Sequence, residues 1–176
     1  MNFCTTVLLS TIISVLIPVS LQAQQFVPTE KGCKVEFTMV KHKESIRESL
    51  NTLKGKIVFD PQHLNTASFD LTISGKDNKL EKGSYFTSSK YPVIKIKSTS
   101  VTQDKPGDII YVLHGNITIN GITKPANIQF LVSHSGTGYT FRGSLDIKRL
   151  DFNIGTKDDG IDENASAFIE IRTSKQ

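Results

Sequence analysis

The stretch from Tyr111 to Pro125, YVLHGNITINGITKP, constrains the fold of this 176-residue chain more than any other segment. Between Ile109 and Ile119, every second position is apolar or glycine, the pattern of a strand with one buried face. The pair Asn120-Gly121 follows at once, and it readily adopts the positive backbone angles of a type I′ turn. A second alternating run then returns from Ile128 to Val132. These features predict a long β-hairpin.

The same alternation of apolar and polar residues recurs through the rest of the chain. With the two arms of the hairpin it predicts about eight antiparallel strands, separated by turns rich in glycine and proline. Eight such strands can close into a barrel without exposed edges, although two packed sheets fit the pattern as well. The six further alternating segments are Cys33–Met39, Leu53–Phe59, Phe69–Ile73, Ile94–Ile96, Tyr139–Ile147 and Ile169–Ile171.

The period is lost between Ile73 and Ile94. Asp77 is a suitable residue for a helix N-cap, and Gly83 is a suitable helix terminator. The sequence therefore predicts a short helical segment near residues 77–83.

Residues 1–23 contain no charged side chain and include the apolar run Val7–Val19. This run is shorter than the roughly 20 residues that a membrane-spanning helix needs. With the small residue Ala23 at its end, the segment reads as a secretory signal peptide, which leaves residues 24–176 as a single barrel domain. No lysine or arginine precedes the run, so an uncleaved membrane anchor remains an alternative.

Five motifs in register resemble the YceI-like family, over a region from about Phe26 to Ile171. The resemblance implies a lipocalin-like antiparallel barrel whose apolar interior holds a polyisoprenoid lipid, and it favours the barrel over the two-sheet arrangement. The motifs are Phe59-Asp60-Pro61, Lys76-Asp77-Asn78-Lys79-Leu80, Tyr85-Phe86 with Tyr91-Pro92, the block GNITINGITKP at Gly115–Pro125, and Arg149-Leu150-Asp151-Phe152.

The resemblance makes the inward-facing apolar residues candidates for the lining of a lipid cavity. The pattern alone favours a dry, filled core, and only the resemblance favours a ligand. We expect Phe37, Phe69, Phe130 and Phe141 to point into one shared cavity. The candidate lining is Val35, Phe37, Met39, Ile57, Phe69, Leu71, Ile96, Leu113, Ile117, Phe130, Phe141 and Leu145.

Two charged pairs match family motifs and are candidates for the mouth of the barrel. Lys76 and Asp77 correspond to an Arg-Asp pair, and Arg149 and Asp151 belong to an R-x-D-F block. They could contact a lipid head group, or they could be structural pairs that fix loops. Lys76 lacks the bidentate fork of arginine, so a clamp there would be weaker. Asn153 stands where the family has glycine, and asparagine tolerates the left-handed conformation.

No cofactor, metal site or catalytic group emerges from the sequence, and we predict that the protein is not an enzyme. Its four histidines are dispersed, although His114 and His134 could be cross-strand neighbours. The acidic segment Asp158–Glu163 lacks the ligand spacing of an EF-hand and reads as a solvated turn. The net charge of +4 is spread along the strands, where residues such as Lys124 alternate with apolar ones as an outer face. A nucleic-acid partner is therefore not expected.

These observations predict a secreted, periplasmic, non-catalytic carrier that sequesters a polyisoprenoid-type lipid and contacts membranes for lipid exchange. The alternative is a structural or stress-related envelope protein whose barrel is filled and which acts through a protein partner. The two hypotheses differ in whether the interior accepts a ligand.

Export gives the first testable prediction. Because residues 1–23 read as a cleaved signal, N-terminal sequencing of the exported protein should begin at about Gln24. A mature protein that begins at Met1 would instead support the membrane anchor.

Overall fold

The computed structural model describes residues 24–75, 84–103, 105 and 107–176. Within them the chain is nearly all β-structure. Short 3-10 helices lie at Leu64–Thr66 and Arg149–Phe152. The strands are β1 (Gln25–Pro28), β2 (Lys34–Lys41), β3 (Glu44–Leu50), β4 (Thr52–Val58), β5 (Ser68–Ser74), β6 (Val93–Gln103), β7 (Ile110–Ile119), β8 (Ile122–Ser135), β9 (Gly138–Lys148) and β10 (Asn164–Lys175).

These strands form one antiparallel sheet that closes on itself. The order β1-β4-β5-β6-β7-β8-β9-β10 returns to β1, which pairs with β10 through Phe26↔Lys175. β2 lies further along the same edge of β10 and pairs with it through Val35↔Ile169. β1 and β2 therefore lie one after the other along β10 and together fill one position of the ring. β4 pairs with β1 and β3 pairs with β2, so β3 and β4 together fill the next position. The ring therefore has eight positions, and the predicted eight-stranded antiparallel barrel is confirmed.

The alternation did not predict β1 or β3 as separate strands. β1 is only four residues long, too short to show a period. In β3 only Leu50 is buried, because this strand forms a ladder with β2 on one side alone among the described strands. A strand without a continuous buried face carries no alternating pattern to detect.

The central hairpin forms as predicted. Asn120 and Gly121 have φ angles of 50° and 76°, as a type I′ turn requires, and Ile119 pairs with Ile122 across it. The expectation that Ile109 belongs to the buried face of the hairpin is wrong, because this residue precedes the first residue of β7 and is 70% exposed.

The suggested proximity of His114 and His134 is also wrong. In the hairpin register His114 lies opposite Asn127, and its ring nitrogens contact Asn127 Oδ1 and Thr102 Oγ1, each at 2.8 Å. His134 is instead paired with Tyr139 of β9. His114 lies on the outward face of β7, whereas His134 lies on the same face of β8 as the buried Ile128 and Phe130.

The barrel has two ends that are built differently. At one, which we call the Phe59 end, β4, β6 and β8 finish and β5, β7 and β9 begin. At the other, the Arg149 end, the segment that joins β9 to β10 buries Phe152, Ile154 and Ile161. The predicted helix near residues 77–83 and the predicted signal at residues 1–23 lie outside the described residues. No described helix is long and apolar enough to cross a membrane.

Candidate functional site

The barrel interior contains a small apolar cavity midway between its ends. Its volume is about 30 Å³, enough for a water molecule or two but not for a lipid chain. Of the predicted lining residues, six line it: Phe69, Leu71, Ile96, Leu113, Phe130 and Phe141. The prediction omitted the other four, which are Ile128, Gly143, Ile169 and Ile171.

The remaining predicted lining residues are buried elsewhere in the core. Each is at most 9% exposed, so none lies on the solvent face. Phe37 belongs to the same buried core as Phe69, Phe130 and Phe141 but does not line their cavity, so the expectation that all four point into one shared cavity is wrong for Phe37. These buried residues outside the cavity are Val35, Phe37, Met39, Ile57, Ile117 and Leu145.

An aromatic cluster closes the interior towards the Phe59 end. The Phe59 ring lies edge-on to the rings of Phe69, Tyr111, Phe130, Tyr139 and Phe141, with centroids 5.3–6.5 Å apart. Such edge-to-face contacts add to the stabilisation from burial of the rings alone. Phe59 follows directly after β4, and its alternation with Ile57 already marked it as inward-facing.

Phe86 is a core residue that the sequence pattern missed. It lies in an irregular segment, is fully buried, and stacks on Phe37 with ring centroids 4.0 Å apart. The carboxylate of Glu48 on β3 holds this segment by accepting hydrogen bonds from Ser84 Oγ and from the Tyr85 N–H, the latter at 2.8 Å. Phe86 therefore fills the interior beside β2, and only its place in a family motif could have drawn attention to it.

Arg149, a predicted mouth residue, is a buried structural group. Its side chain has no exposed surface, and its guanidinium donates to the backbone carbonyls of the segment that closes this end. The acceptors are the carbonyl oxygens of Ile154, Thr156, Ile161 and Asp162 at 2.7–2.9 Å and the carboxylate of Asp159 at 2.8 and 3.0 Å. Because the donors of Arg149 are used by these acceptors, the structural role is favoured over contact with a lipid head group.

Asp159 is the charge partner of Arg149, where the motif had suggested Asp151. Burial acts to raise the pKa of the Asp159 carboxyl, because it favours the neutral acid. Hydrogen bonds from the N–H groups of Ile161 and Thr156 outweigh this effect, together with the charge of Arg149. The pKa of Asp159 therefore lies below its ordinary value, and its carboxylate stays ionised at neutral pH.

The other predicted mouth residues have different outcomes. Asp151 is exposed and borders a surface depression between β8 and β9. Lys76 and Asp77 lie outside the described residues. Asn153 adopts the left-handed conformation with φ 53°, as predicted for the glycine position of the motif.

Lys124 departs from its expected place on the outer face. Its side chain lies on the same face of β8 as those of Ala126 and Ile128. It is half-buried, and it pairs with the buried Ile117 of β7. The alternation of β8 requires this inward position, although the charge of a lysine favours the outer face.

Cys33 and the acidic side chains form no reactive centre within the described residues. Burial is the largest influence on the Cys33 thiol, and it raises the pKa of this group. A raised pKa disfavours the thiolate, which is the reactive form. No group of three or more histidine, cysteine, aspartate or glutamate side chains in the described part of the chain could hold a metal ion.

The family model for the YceI-like domain matches residues 26–174. The chain belongs to the YceI-like family. A relative described as a "UPF0312 protein" from Yersinia pestis is 31% identical over 123 residues, and a similar protein from Yersinia enterocolitica is 30% identical over the same length. These alignments cover 61% of this chain and 62% of each relative.

Solved structures share the fold of this YceI-like domain. BcnA from Burkholderia cenocepacia superimposes with a TM-score of 0.70 at 21% identity, over 82% of this chain and 98% of BcnA. A polyisoprenoid binding domain from Saccharophagus degradans gives a TM-score of 0.62 at 12% identity, over 86% and 98%. At these identities the similarity establishes the barrel and not the ligand.

The Arg149 cluster gives a testable prediction for stability. Replacing Arg149 with lysine keeps the charge but removes the planar fork, which leaves buried carbonyls without donors. We expect Arg149→Lys to cost about 3 kcal/mol in the free energy of unfolding, or about 6–12 °C in melting temperature.

Calorimetry measures this effect, with Arg142→Lys as the matched control. Arg142 forms a surface pair with Glu170 and is 49% exposed, so its replacement should change stability by less than about 1 kcal/mol. Equal effects of the two substitutions would contradict the structural role of Arg149.

Proposed function

We propose that this YceI-like protein is a non-catalytic carrier that sequesters a polyisoprenoid-type lipid within its barrel. The observation that carries the proposal is a closed barrel whose central cavity is lined by apolar side chains and one glycine. A solved structure of the same fold is described as a polyisoprenoid binding domain, which supports this ligand class. Burial of an apolar chain supplies its own driving force of about 25 cal/mol per Å² of apolar area, so no catalytic group is needed.

The small volume of the cavity bears on how a lipid would bind. Ligand pockets typically enclose about 300–1,000 Å³, far more than the 30 Å³ between the described residues. Binding would therefore require side chains to move from their positions. Phe86 is the best placed to move, because it belongs to an irregular segment rather than to a strand.

The same small volume favours a second candidate function. A barrel whose interior is permanently filled would act through its surface, as a structural or stress-related envelope protein with a protein partner. The two functions differ in whether the cavity residues limit lipid uptake.

Substitution of a cavity residue separates these functions. Ile96→Trp fills the cavity, and it should remove most of the lipid retained by the wild type, at a cost of about 1–3 kcal/mol in stability. Lys95→Trp is the matched control, because it adds the same side chain to the outer face of the same strand. Each protein is equilibrated with the polyprenyl alcohol solanesol, and retained lipid per folded protein is measured by mass spectrometry.

Two results would contradict the carrier. Wild type that retains no solanesol while folded would favour the filled barrel, and so would an Ile96→Trp variant that retains as much as the Lys95→Trp control. Circular dichroism would verify that both variants are folded.

We also propose export, with residues 1–23 as a signal, and membrane contact for lipid exchange. An exposed apolar patch supports the contact: Ile109 is 70% exposed, and Ile110 and Leu131, which pair across β7 and β8, are each 45% exposed. Contact with an apolar surface, such as the interior of a membrane, would remove this exposed apolar area from water. The net charge of +4 would draw the protein towards anionic lipid.

Vesicle binding tests the membrane contact. The double variant Ile109→Ser/Ile110→Ser should bind vesicles of phosphatidylglycerol and phosphatidylcholine about ten-fold more weakly than wild type in co-sedimentation. Phe168→Ser is the control, because Phe168 is 42% exposed on β10, which β9 separates from the two strands of the patch. If the double variant and the Phe168→Ser control lose vesicle binding equally, the patch has no special role in membrane contact.

A further inference from the structure

The ladder between β8 and β9 ends before the strands do. Its pairing runs from Ser135↔Gly138 to Gln129↔Ser144 and then stops. Beyond this fork, residues 122–128 of β8 pair only with β7, and residues 145–148 of β9 pair only with β10. We call this split in the barrel wall, between residues 122–128 and 145–148, the β8–β9 seam.

Two depressions mark the seam on the surface. One, of about 300 Å³, reaches the buried side chains of Ile117, Ile147 and Phe152. The other, of about 480 Å³, lies at the fork and is lined by Val112, Gln129 and Ser144 among others. Asn127, Leu145 and Asp146 border both depressions. The seam therefore has polar edges, and its floor combines these apolar side chains with the half-buried Lys124 on the inward face of β8.

Separating the strands further at the seam breaks no β8–β9 hydrogen bond, because none is formed there. Separating β7 from β8 would break a ladder that extends from Ile110↔Leu131 to Ile119↔Ile122. Pro125 lies on the β8 side of the seam and has no N–H group to leave unpaired. Solvent in the depressions can reach the other free backbone groups.

The seam is continuous with the cavity and with the exposed apolar patch. On the inside, Ile128 and Gly143 line the cavity directly beside the fork. On the outside, Ile110↔Leu131 of the patch is followed along the same face by Val112↔Gln129, which borders the depression at the fork. An apolar chain could pass from the patch to the interior without crossing a paired ladder.

We propose that the β8–β9 seam is the lateral entry for the apolar tail of the lipid. This inference rests on the proposed carrier function and specifies the route by which its ligand reaches the barrel. An extended peptide could also pair with free strand edges. The buried apolar side chains that the seam exposes, Ile117, Ile147 and Phe152, and the missing donor at Pro125 favour a hydrocarbon chain instead.

A reversible bridge across the seam tests the proposal. Asn127→Cys and Asp146→Cys are introduced together with Cys4→Ser and Cys33→Ser, and the thiols are joined by a short bis-methanethiosulfonate reagent that reductant removes. The control bridge joins Thr118→Cys to Thr123→Cys, whose native hydroxyls lie 2.8 Å apart across the paired β7–β8 ladder. Uptake of tritiated solanesol from phosphatidylcholine vesicles is then followed with time.

We expect the seam bridge to slow uptake by about ten-fold or more, reductant to restore the rate, and the control bridge to leave it unchanged. A bridged seam with the same rate as the reduced protein would overturn the lateral entry while leaving the carrier intact, and would make an extended peptide the better occupant. Equal slowing by both bridges would also overturn it. Wild type that takes up no solanesol overturns the carrier function, and this inference with it.

Discussion

Closure of the barrel depends on a four-residue strand. β1 pairs with β10 on one side and with β4 on the other, and it thereby joins the end of the chain to its early strands. Phe26 at its centre is fully buried and lies edge-on to Tyr139 with ring centroids 5.1 Å apart. Without this strand, β4 and the C-terminal part of β10 would each present a free edge. The enclosed interior, and any function that uses it, follows from that closure.

Closure also determines how a ligand could enter. Paired ladders resist separation because every broken backbone bond must be replaced, whereas the β8–β9 seam has no such bonds to lose. The two ends are obstructed by different means: aromatic rings around Phe59 at one, and the Arg149 cluster at the other. Among the described residues, packed side chains lie between each end and the cavity, whereas the lateral route that we propose crosses no paired ladder.

The sequence predicted the fold well because its signals are local. Alternation at period two reports which face of each strand is buried, and Asn120-Gly121 specifies the turn that sets the hairpin register. The same logic marked nine of the ten residues around the cavity as inward-facing, and six of these were named as its lining. It missed Gly143, which lacks a side chain to show a pattern, and Phe86, which lies in a segment without a period.

The sequence by itself determined eight of the ten described strands, the buried face of most of them and the family, because each depends on residues that are neighbours along the chain. Only the tertiary structure decided that Arg149 pairs with Asp159, that Phe37 stacks on Phe86, and that β8 and β9 separate beyond Gln129. These features join segments that are distant in sequence or depend on where a ladder stops. No periodicity encodes them, because they arise from how the closed ring fills its interior.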